Sequence, residues 1–233
     1  MSPLSKRFTM KRLLLGVVGL GAIALVPVAR RAYANAFDTS GPTSAELSAM
    51  APKVGAPAPA FTAVDTRGGS HSLEAYRGQW VVLEWANHSC PYTKKHYKSV
   101  DGRPGNTQAM QRDYTKRVVW LSVVSSAPGK QGFTTAEEAD ELTREKGAAP
   151  TAVIRDTAGT LGRLYGARNT PQYAIIDPEG VLRYAGAIDD HQSSSVKDIP
   201  RSTNYVRAAL DAGLAGNPIA VAQTQPYGCD VKY

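Results

Sequence analysis

Cys90 has the setting best suited to chemistry in this chain. It stands in the segment VVLEWANHSCPYTKKHY, residues 81–97, where an apolar run ends at a polar turn and a proline follows the cysteine. Because proline is tolerated at the first position of a helix, Pro91 predicts that Cys90 caps a helix N-terminus. Unpaired amides and the positive end of the helix dipole lower a thiol pKa there, and the thiolate is the nucleophile.

Two neighbours on the predicted helix favour the same chemistry. Thr93 is placed to donate its hydroxyl hydrogen to the sulfur, and Lys94 shares the helix face of Cys90 and adds positive charge if its ammonium turns inward. We therefore predict an accessible, stabilised thiolate at Cys90. The competing interpretation is a buried, inert cysteine, which is common for this residue type.

The other cysteine, Cys229, lies in a short polar tail in which Gly228 gives the backbone local freedom. A tail of this kind can reach back to Cys90. Three interpretations stay open: Cys229 resolves an oxidised Cys90 by forming a disulfide, the bridge is a permanent staple for the tail, or Cys229 pairs with another chain.

The first 34 residues have the layout of a secretory signal peptide. A basic stretch precedes an apolar run at 13–29, and small residues at 32–36 suit a signal peptidase. The alternative is an uncleaved membrane anchor, because the run is at the lower limit of a spanning helix. Residues 35–52 have the composition of a linker. The sequence predicts export to the periplasm, an oxidising compartment in which two cysteines tend to pair.

The predicted leader also explains the charge. The formal net charge is +7, and residues 1–34 hold six basic residues and no acidic one, so the exported chain is close to neutral. Nucleic acid is thereby excluded as a partner, because no basic stripe with interleaved aromatics remains. After cleavage of the leader, we expect no stable membrane partner.

The rest of the chain, 53–215, is long enough for one domain with one sizeable core. Thr135 and Glu138 match a helix capping box, and Gly147 suits the end of that helix. Alternating strands and helices predict an α/β fold with a mainly parallel sheet, covered by helices on both faces, to which a closing hairpin adds an antiparallel edge. Strand character is found at 61–65, 80–86, 117–126, 151–156, 172–177 and 181–189, and helical character after Cys90 and at 134–147, 158–167 and 203–214.

The order of these motifs resembles the thioredoxin fold, and in detail its redoxin branch, the peroxiredoxin-like family related to alkyl hydroperoxide reductase and thiol-specific antioxidant. The matching segments are VGAPAPAFTAVDTRGG, LEAYRGQWVVLEWANHSCPYTKKHY, YGARNTPQYAIIDPEGVLRYAGAIDD and the terminal YGCDVKY. The resemblance implies a mixed sheet and a domain at 53–215 followed by a tail at 216–233. It also implies that Thr170-Pro171 is a cis-proline loop, which packs beside the reactive sulfur and receives the extended chain of a substrate.

The chain departs from the resemblance in two ways. A dithiol oxidoreductase has a second cysteine at position 93, where this chain has Thr93. Peroxiredoxins have a proline and a hydroxyl residue before the reactive cysteine, where this chain has Leu83 and Asn87. These two positions do not match the residues with which the family activates peroxides.

These observations predict an exported thiol oxidoreductase that attacks a peroxide or a protein disulfide through Cys90 and is restored by a thiol reductant. The alternative is a non-catalytic binding module that holds a peptide at Thr170-Pro171 and has a structural Cys90–Cys229 disulfide. We expect no cofactor and no metal, since no phosphate loop, zinc cysteine pair or haem motif is present. Residues 189–191 (Asp-Asp-His) are interpreted as a solvated loop.

Overall fold

The computed structural model describes residues 52–233. The predicted signal peptide at 1–34 and all but the last residue of the predicted linker at 35–52 lie outside the described residues. Within 52–233, no helix is both long and apolar enough to cross a membrane.

Strands and helices alternate over most of the described chain. The strands are β1 (Thr62–Val64), β2 (Ser70–Ser72), β3 (Trp80–Trp85), β4 (Val118–Val124), β5 (Ala152–Arg155), β6 (Asn169–Thr170), β7 (Gln172–Ile176), β8 (Leu182–Gly186) and β9 (Cys229–Asp230). The helices are α1 (Pro91–Tyr97), α2 (Asn106–Tyr114), α3 (Ala136–Glu145), α4 (Thr160–Leu164) and α5 (Tyr205–Leu214), with 3-10 helices at Glu74–Tyr76 and Val196–Arg201.

The central sheet has the strand order β5-β4-β3-β7-β8. Strand β3 is parallel to β4, and β4 to β5, whereas β7 is antiparallel to both β3 and β8. The α/β class and the mixed sheet are confirmed. The antiparallel edge predicted for the closing hairpin is formed by β7 and β8, and half of the pairings between neighbouring strands are antiparallel.

Both faces of the sheet are buried, as the near-continuous apolar runs predicted. Side chains alternate along β3, so that Leu83 and Trp85 lie in the core on one face with Leu161 of α4. Val82 lies in the core on the other face, where Val206 of α5 packs. Two layers of helices therefore hold β3 in place, and β3 ends just before Cys90.

The sequence signals for helix ends are met at α3. Thr135 accepts from the backbone N–H of Glu138, whose carboxylate accepts from the backbone N–H of Thr135 at 2.7 Å. Gly147 has φ +59°, the left-handed conformation that ends helices at glycine. The segment after Cys90, by contrast, contains two helices, since α1 ends at Tyr97 and α2 begins at Asn106.

The C-terminal tail returns to the domain. Thr224 donates its backbone N–H to Ala185 of β8 at 3.1 Å, and Cys229 and Asp230 form β9, antiparallel to β6. At the far end, Ala127 after β4 donates its backbone N–H to Lys232 at 2.8 Å. The tail is thus fixed at both sides of the site around Cys90, whereas the sequence suggested local freedom.

Candidate active site

Cys90 lies where β3 gives way to α1. It has extended backbone angles, φ −75° and ψ 127°, and occupies the N-cap of α1, with Pro91 in the first turn of the helix. Asn87 shapes the approach, since its carbonyl accepts from the N–H of Cys90 at 2.9 Å and its side-chain oxygen accepts from the N–H of Ser89 at 2.9 Å. The predicted helix cap at Cys90 is present.

The prediction of an accessible sulfur was wrong. Cys90 has 0% of its surface exposed. Two chain segments meet at the sulfur: the carbonyl of Thr170 lies 3.2 Å from it, and Cys229 of the tail pairs with Thr170.

Burial is the largest influence on the pKa of Cys90 and raises it, because a buried anion loses its hydration. Hydrogen bonding with Cys229, with the backbone N–H of Thr93 and with Thr170 outweighs this effect. The pKa of Cys90 therefore lies below its ordinary value. The sulfur is buried, but its surroundings favour the thiolate.

The two helix neighbours act differently from the prediction. The hydroxyl of Thr93 has no hydrogen-bond partner among residues 52–233, and the backbone N–H of Thr93 is the group that bonds to the sulfur. Lys94 is exposed, so its ammonium does not turn inward. The inward lysine of α1 is the next residue, Lys95.

The peptide bond between Thr170 and Pro171 is cis, as the resemblance implied. The carbonyl of Thr170 accepts a hydrogen bond from the Cys90 thiol at 3.2 Å, so this loop packs directly on the sulfur. Thr170 is also the residue of β6 that pairs with Cys229 of β9. The structure thus brings Cys90, Cys229, Thr170 and Pro171 to one place.

Both cysteines are free thiols, and their environments push their pKa values apart. Burial, the hydrogen bond to Cys90 and the proximity of its negative charge raise the pKa of Cys229 to about 11. When one proton is lost from the pair, the charge settles on Cys90 and Cys229 keeps its proton. Of the two thiols, Cys90 is therefore the one that becomes the thiolate first.

We expect a single thiolate to form below the pH range in which tyrosines ionise. Absorbance at 240 nm should rise in one step, at a pH below the ordinary thiol pKa of about 8.5. Cys90→Ser should lack the step. Cys229→Ala should shift it to higher pH, because one donor to the thiolate is lost. A step of unchanged amplitude in Cys90→Ser would contradict the assignment.

A buried ion pair that contacts the tail was missed in the sequence. Lys95 donates to a carboxylate oxygen of Asp189 at 2.9 Å, with side chains that are 0% and 1% exposed. Lys95 also donates to the carbonyl of His191 at 2.9 Å, and Tyr227 of the tail donates its hydroxyl to Asp189. The sequence predicts a solvated loop at residues 189–191. For Asp189 this was wrong, because its side chain is buried and binds the tail.

Glu84 is a second buried charged residue that sequence analysis did not single out. It lies on β3, one residue before Trp85, and its carboxylate accepts from Tyr97 at 2.8 Å and Trp120 at 2.7 Å. Tyr173, Ser122 and Gln111 donate to it as well. Burial raises the pKa of Glu84, and these hydrogen bonds oppose the rise.

The histidines near the cysteine lie against other partners. The ring of His88 packs edge-on against Tyr97, and Nδ1 of His96 lies 3.0 Å from the side-chain oxygen of Asn106. Burial lowers the pKa of each to about 4, which keeps both neutral at pH 7. Over residues 52–233, no cluster of three or more metal-binding side chains is found.

Two crystal structures share the fold. A hypothetical protein from Sinorhizobium meliloti is 20% identical, with a TM-score of 0.63, and the match covers 78% of this chain and 96% of that protein. An uncharacterised protein from Geobacillus kaustophilus is 24% identical, with a TM-score of 0.62, and the match covers 78% of this chain and 92% of that protein. An exposed lipoprotein thioredoxin of Streptococcus pneumoniae is 28% identical, with a TM-score of 0.41, and the match covers 55% of this chain and 87% of that protein.

A search of curated proteins finds no match. The model of the AhpC/TSA family matches residues 54–185, which is more than half of the chain and includes β3, Cys90 and the Thr170-Pro171 loop. The chain therefore belongs to the AhpC/TSA family of thioredoxin-fold redoxins.

Proposed function

We propose that this protein is an exported thiol–disulfide oxidoreductase in which Cys90 is the nucleophile and Cys229 the resolving cysteine. Family membership supports thiol–disulfide oxidoreductase activity in general. The observation that carries the specific proposal is that Cys229 pairs with Thr170, whose carbonyl lies 3.2 Å from the Cys90 sulfur, while the pKa of Cys90 is lowered and that of Cys229 is raised.

The chemistry proceeds in two exchanges. The Cys90 thiolate attacks one sulfur of a substrate disulfide, forming a mixed disulfide and releasing the other substrate sulfur as a thiolate that takes up a proton. Cys229 then loses its proton and attacks the Cys90 sulfur, which releases the second substrate thiol and leaves a Cys90–Cys229 disulfide. The substrate gains two electrons, and a dithiol reductant restores the protein.

A polypeptide disulfide is the substrate we favour over a peroxide. The Thr170 edge already holds an extended segment of the chain with a cysteine beside Cys90. Leu83 and Asn87 replace the residues with which peroxiredoxins prepare their cysteine. With a peroxide, the same thiolate would be oxidised to a sulfenic acid, which condenses with Cys229 and releases water.

The alternative of a binding module finds support in the burial of Cys90. In that case the tail stays in place and a Cys90–Cys229 disulfide serves only to fasten it. A lowered pKa of Cys90 has no use in such a module, and this favours the enzyme. Export to the periplasm is part of the proposal and rests on residues 1–34.

Trapping the mixed disulfide tests the proposal. Cys229→Ser lacks the resolving thiol, so incubation with a peptide disulfide should leave about one peptide adduct per chain, on Cys90, by mass spectrometry after acid quenching. The unaltered chain should instead accumulate the Cys90–Cys229 disulfide. Adducts in Cys90→Ser should fall below about a tenth of those in Cys229→Ser, because burial still raises the pKa of Cys229 when Cys90 is absent. Equal trapping in both variants would overturn the proposal.

A further inference from the structure

The last residues of the chain are bound in the way a sheet edge binds an extended peptide. Cys229 pairs with Thr170 and Asp230 with Asn169, in antiparallel register. The side-chain amide of Asn169 donates to the carbonyl of Gly228 at 3.1 Å, and Val231 donates its backbone N–H to Arg168 at 2.7 Å. Main-chain pairing of this kind supplies affinity for any extended chain, and side-chain pockets supply the selectivity.

Tyr227, two residues before Cys229, occupies a defined pocket. The ring of Tyr227 is nearly buried and meets Tyr92 edge-on, with 5.9 Å between ring centroids. Its hydroxyl donates to Asp189, and the ammonium of Lys95 lies 5.8 Å from the ring centroid. An aromatic residue with a hydroxyl donor matches this pocket in shape and charge.

The position just before Cys229 accepts only glycine. A Cβ on Gly228 would lie 2.1 Å from the carbonyl oxygen of Thr170 and 3.3 Å from the Cβ of Tyr92. The first of these neighbours is backbone and cannot turn aside. Gly228 also has φ +120°, a conformation that residues with side chains rarely adopt.

The next position places a sulfur against the nucleophile. Cys229 pairs with Thr170, whose carbonyl lies 3.2 Å from the Cys90 sulfur, and the surface of Cys90 is fully covered. Beyond it, Tyr233 donates its hydroxyl to the carbonyl of Ala167 at 2.7 Å and stacks on the guanidinium of Arg163 at 4.4 Å. Residues 227–233 therefore meet the site over their whole length.

We propose that the C-terminal segment, residues 227–233, occupies the substrate site of its own protein, and that the substrates are extended polypeptide segments in which an aromatic residue and a glycine precede the cysteine. The contacts described above support the existence of the binding site. The assignment of extended polypeptides as its substrates rests on the proposed function. A tethered segment has an effective concentration in the millimolar range, so a free peptide competes only when the tether is displaced.

The full chain with Cys229→Ser is the starting protein for the test, because Cys90 is then its only thiol. Adding Gly228→Ala should drive the segment off the edge and raise the rate of Cys90 alkylation by iodoacetamide at least about 10-fold at pH 8. Gly68→Ala in the same background is the matched control: Gly68 also has positive φ, at +84°, but its Cβ would meet nothing within 4 Å. It should leave the rate unchanged.

A synthetic peptide of residues 226–233, with serine at the cysteine position, is then added to the Cys229→Ser, Gly228→Ala chain. It should restore protection of Cys90 in a saturable way. The same peptide with alanine at the glycine position should not protect, since its Cβ would meet the Thr170 carbonyl. Protection by both peptides, or by neither, overturns the proposal, as does an alkylation rate that Gly228→Ala leaves unchanged.

Tyr227→Ala is a second way to loosen the segment, should Gly228→Ala impair folding as judged by circular dichroism. A failure of this proposal can be told apart from a failure of the proposed function, because alkylation of Cys90 needs no catalytic turnover. A chain that binds the peptide but forms no mixed disulfide has the site without the enzyme activity. A chain that forms the mixed disulfide but ignores the peptide has the activity with another substrate site.

Discussion

Cys90→Ser is expected to lower the rate of catalysed disulfide reduction about 1000-fold or more, the scale on which enzymes lose activity when their nucleophile is removed. Serine preserves the size of the side chain and its place at the N-cap of α1. Its hydroxyl stays protonated in an environment that deprotonates a thiol, so the attacking anion is lost. The measurement is the reduction of a peptide disulfide with dithiothreitol as electron source, corrected for the rate without protein.

Cys229→Ser separates the two exchanges. Without dithiothreitol it should retain one stoichiometric attack by Cys90 and stop at the mixed disulfide, whereas the unaltered chain proceeds to the Cys90–Cys229 disulfide. The first exchange is expected to be no slower than in the unaltered chain, since the attacking sulfur is unchanged. Turnover by Cys90→Ser at more than a tenth of the unaltered rate would assign the chemistry to another group.

The framework of the site could be predicted because its signals are local. An apolar run of strand length, a proline after the cysteine and a capping box each act over a few residues, and β3, the N-cap at Cys90 and α3 are found where these signals lie. The cis Thr170-Pro171 bond came from the family resemblance, since isolated X-Pro bonds are mostly trans.

The features that were missed depend on distant parts of the chain. Asp189 is buried because Lys95, 94 residues earlier, and Tyr227, 38 residues later, meet it, and nothing in the Asp-Asp-His sequence indicates those partners. The same holds for β9, whose two residues have no strand pattern and are extended only because β6 pairs with them. That pairing brings the tail against Cys90. The sequence could therefore indicate a thiolate at Cys90 but not the tail segment that helps to bury it.

Asp189→Ala is expected to lower the free energy of unfolding by about 3–5 kcal/mol, the cost of leaving one partner of a buried ion pair without the other. The Lys95 ammonium would remain 0% exposed, held only by the carbonyl of His191. The hydroxyl of Tyr227 would lose its acceptor as well. Urea unfolding at pH 7 measures the loss.

Asp113→Ala is the matched control, because it removes an aspartate from an exposed ion pair with Arg207, whose side chains are 53% and 37% exposed respectively. Exposed pairs contribute about 0–1 kcal/mol, so a small loss is expected. A loss in Asp189→Ala no larger than in Asp113→Ala would show that Lys95 finds water or another partner.

The double substitution Lys95→Met with Asp189→Leu distinguishes the cost of an unpaired charge from a need for the pair itself. Because apolar residues of similar volume often replace a buried pair without loss, the double variant should recover much of the stability that Asp189→Ala loses. It cannot restore the acceptor for the hydroxyl of Tyr227. Its Cys90 should therefore remain easier to alkylate than in the unaltered chain, because the ion pair both stabilises the domain and holds the segment that covers the nucleophile.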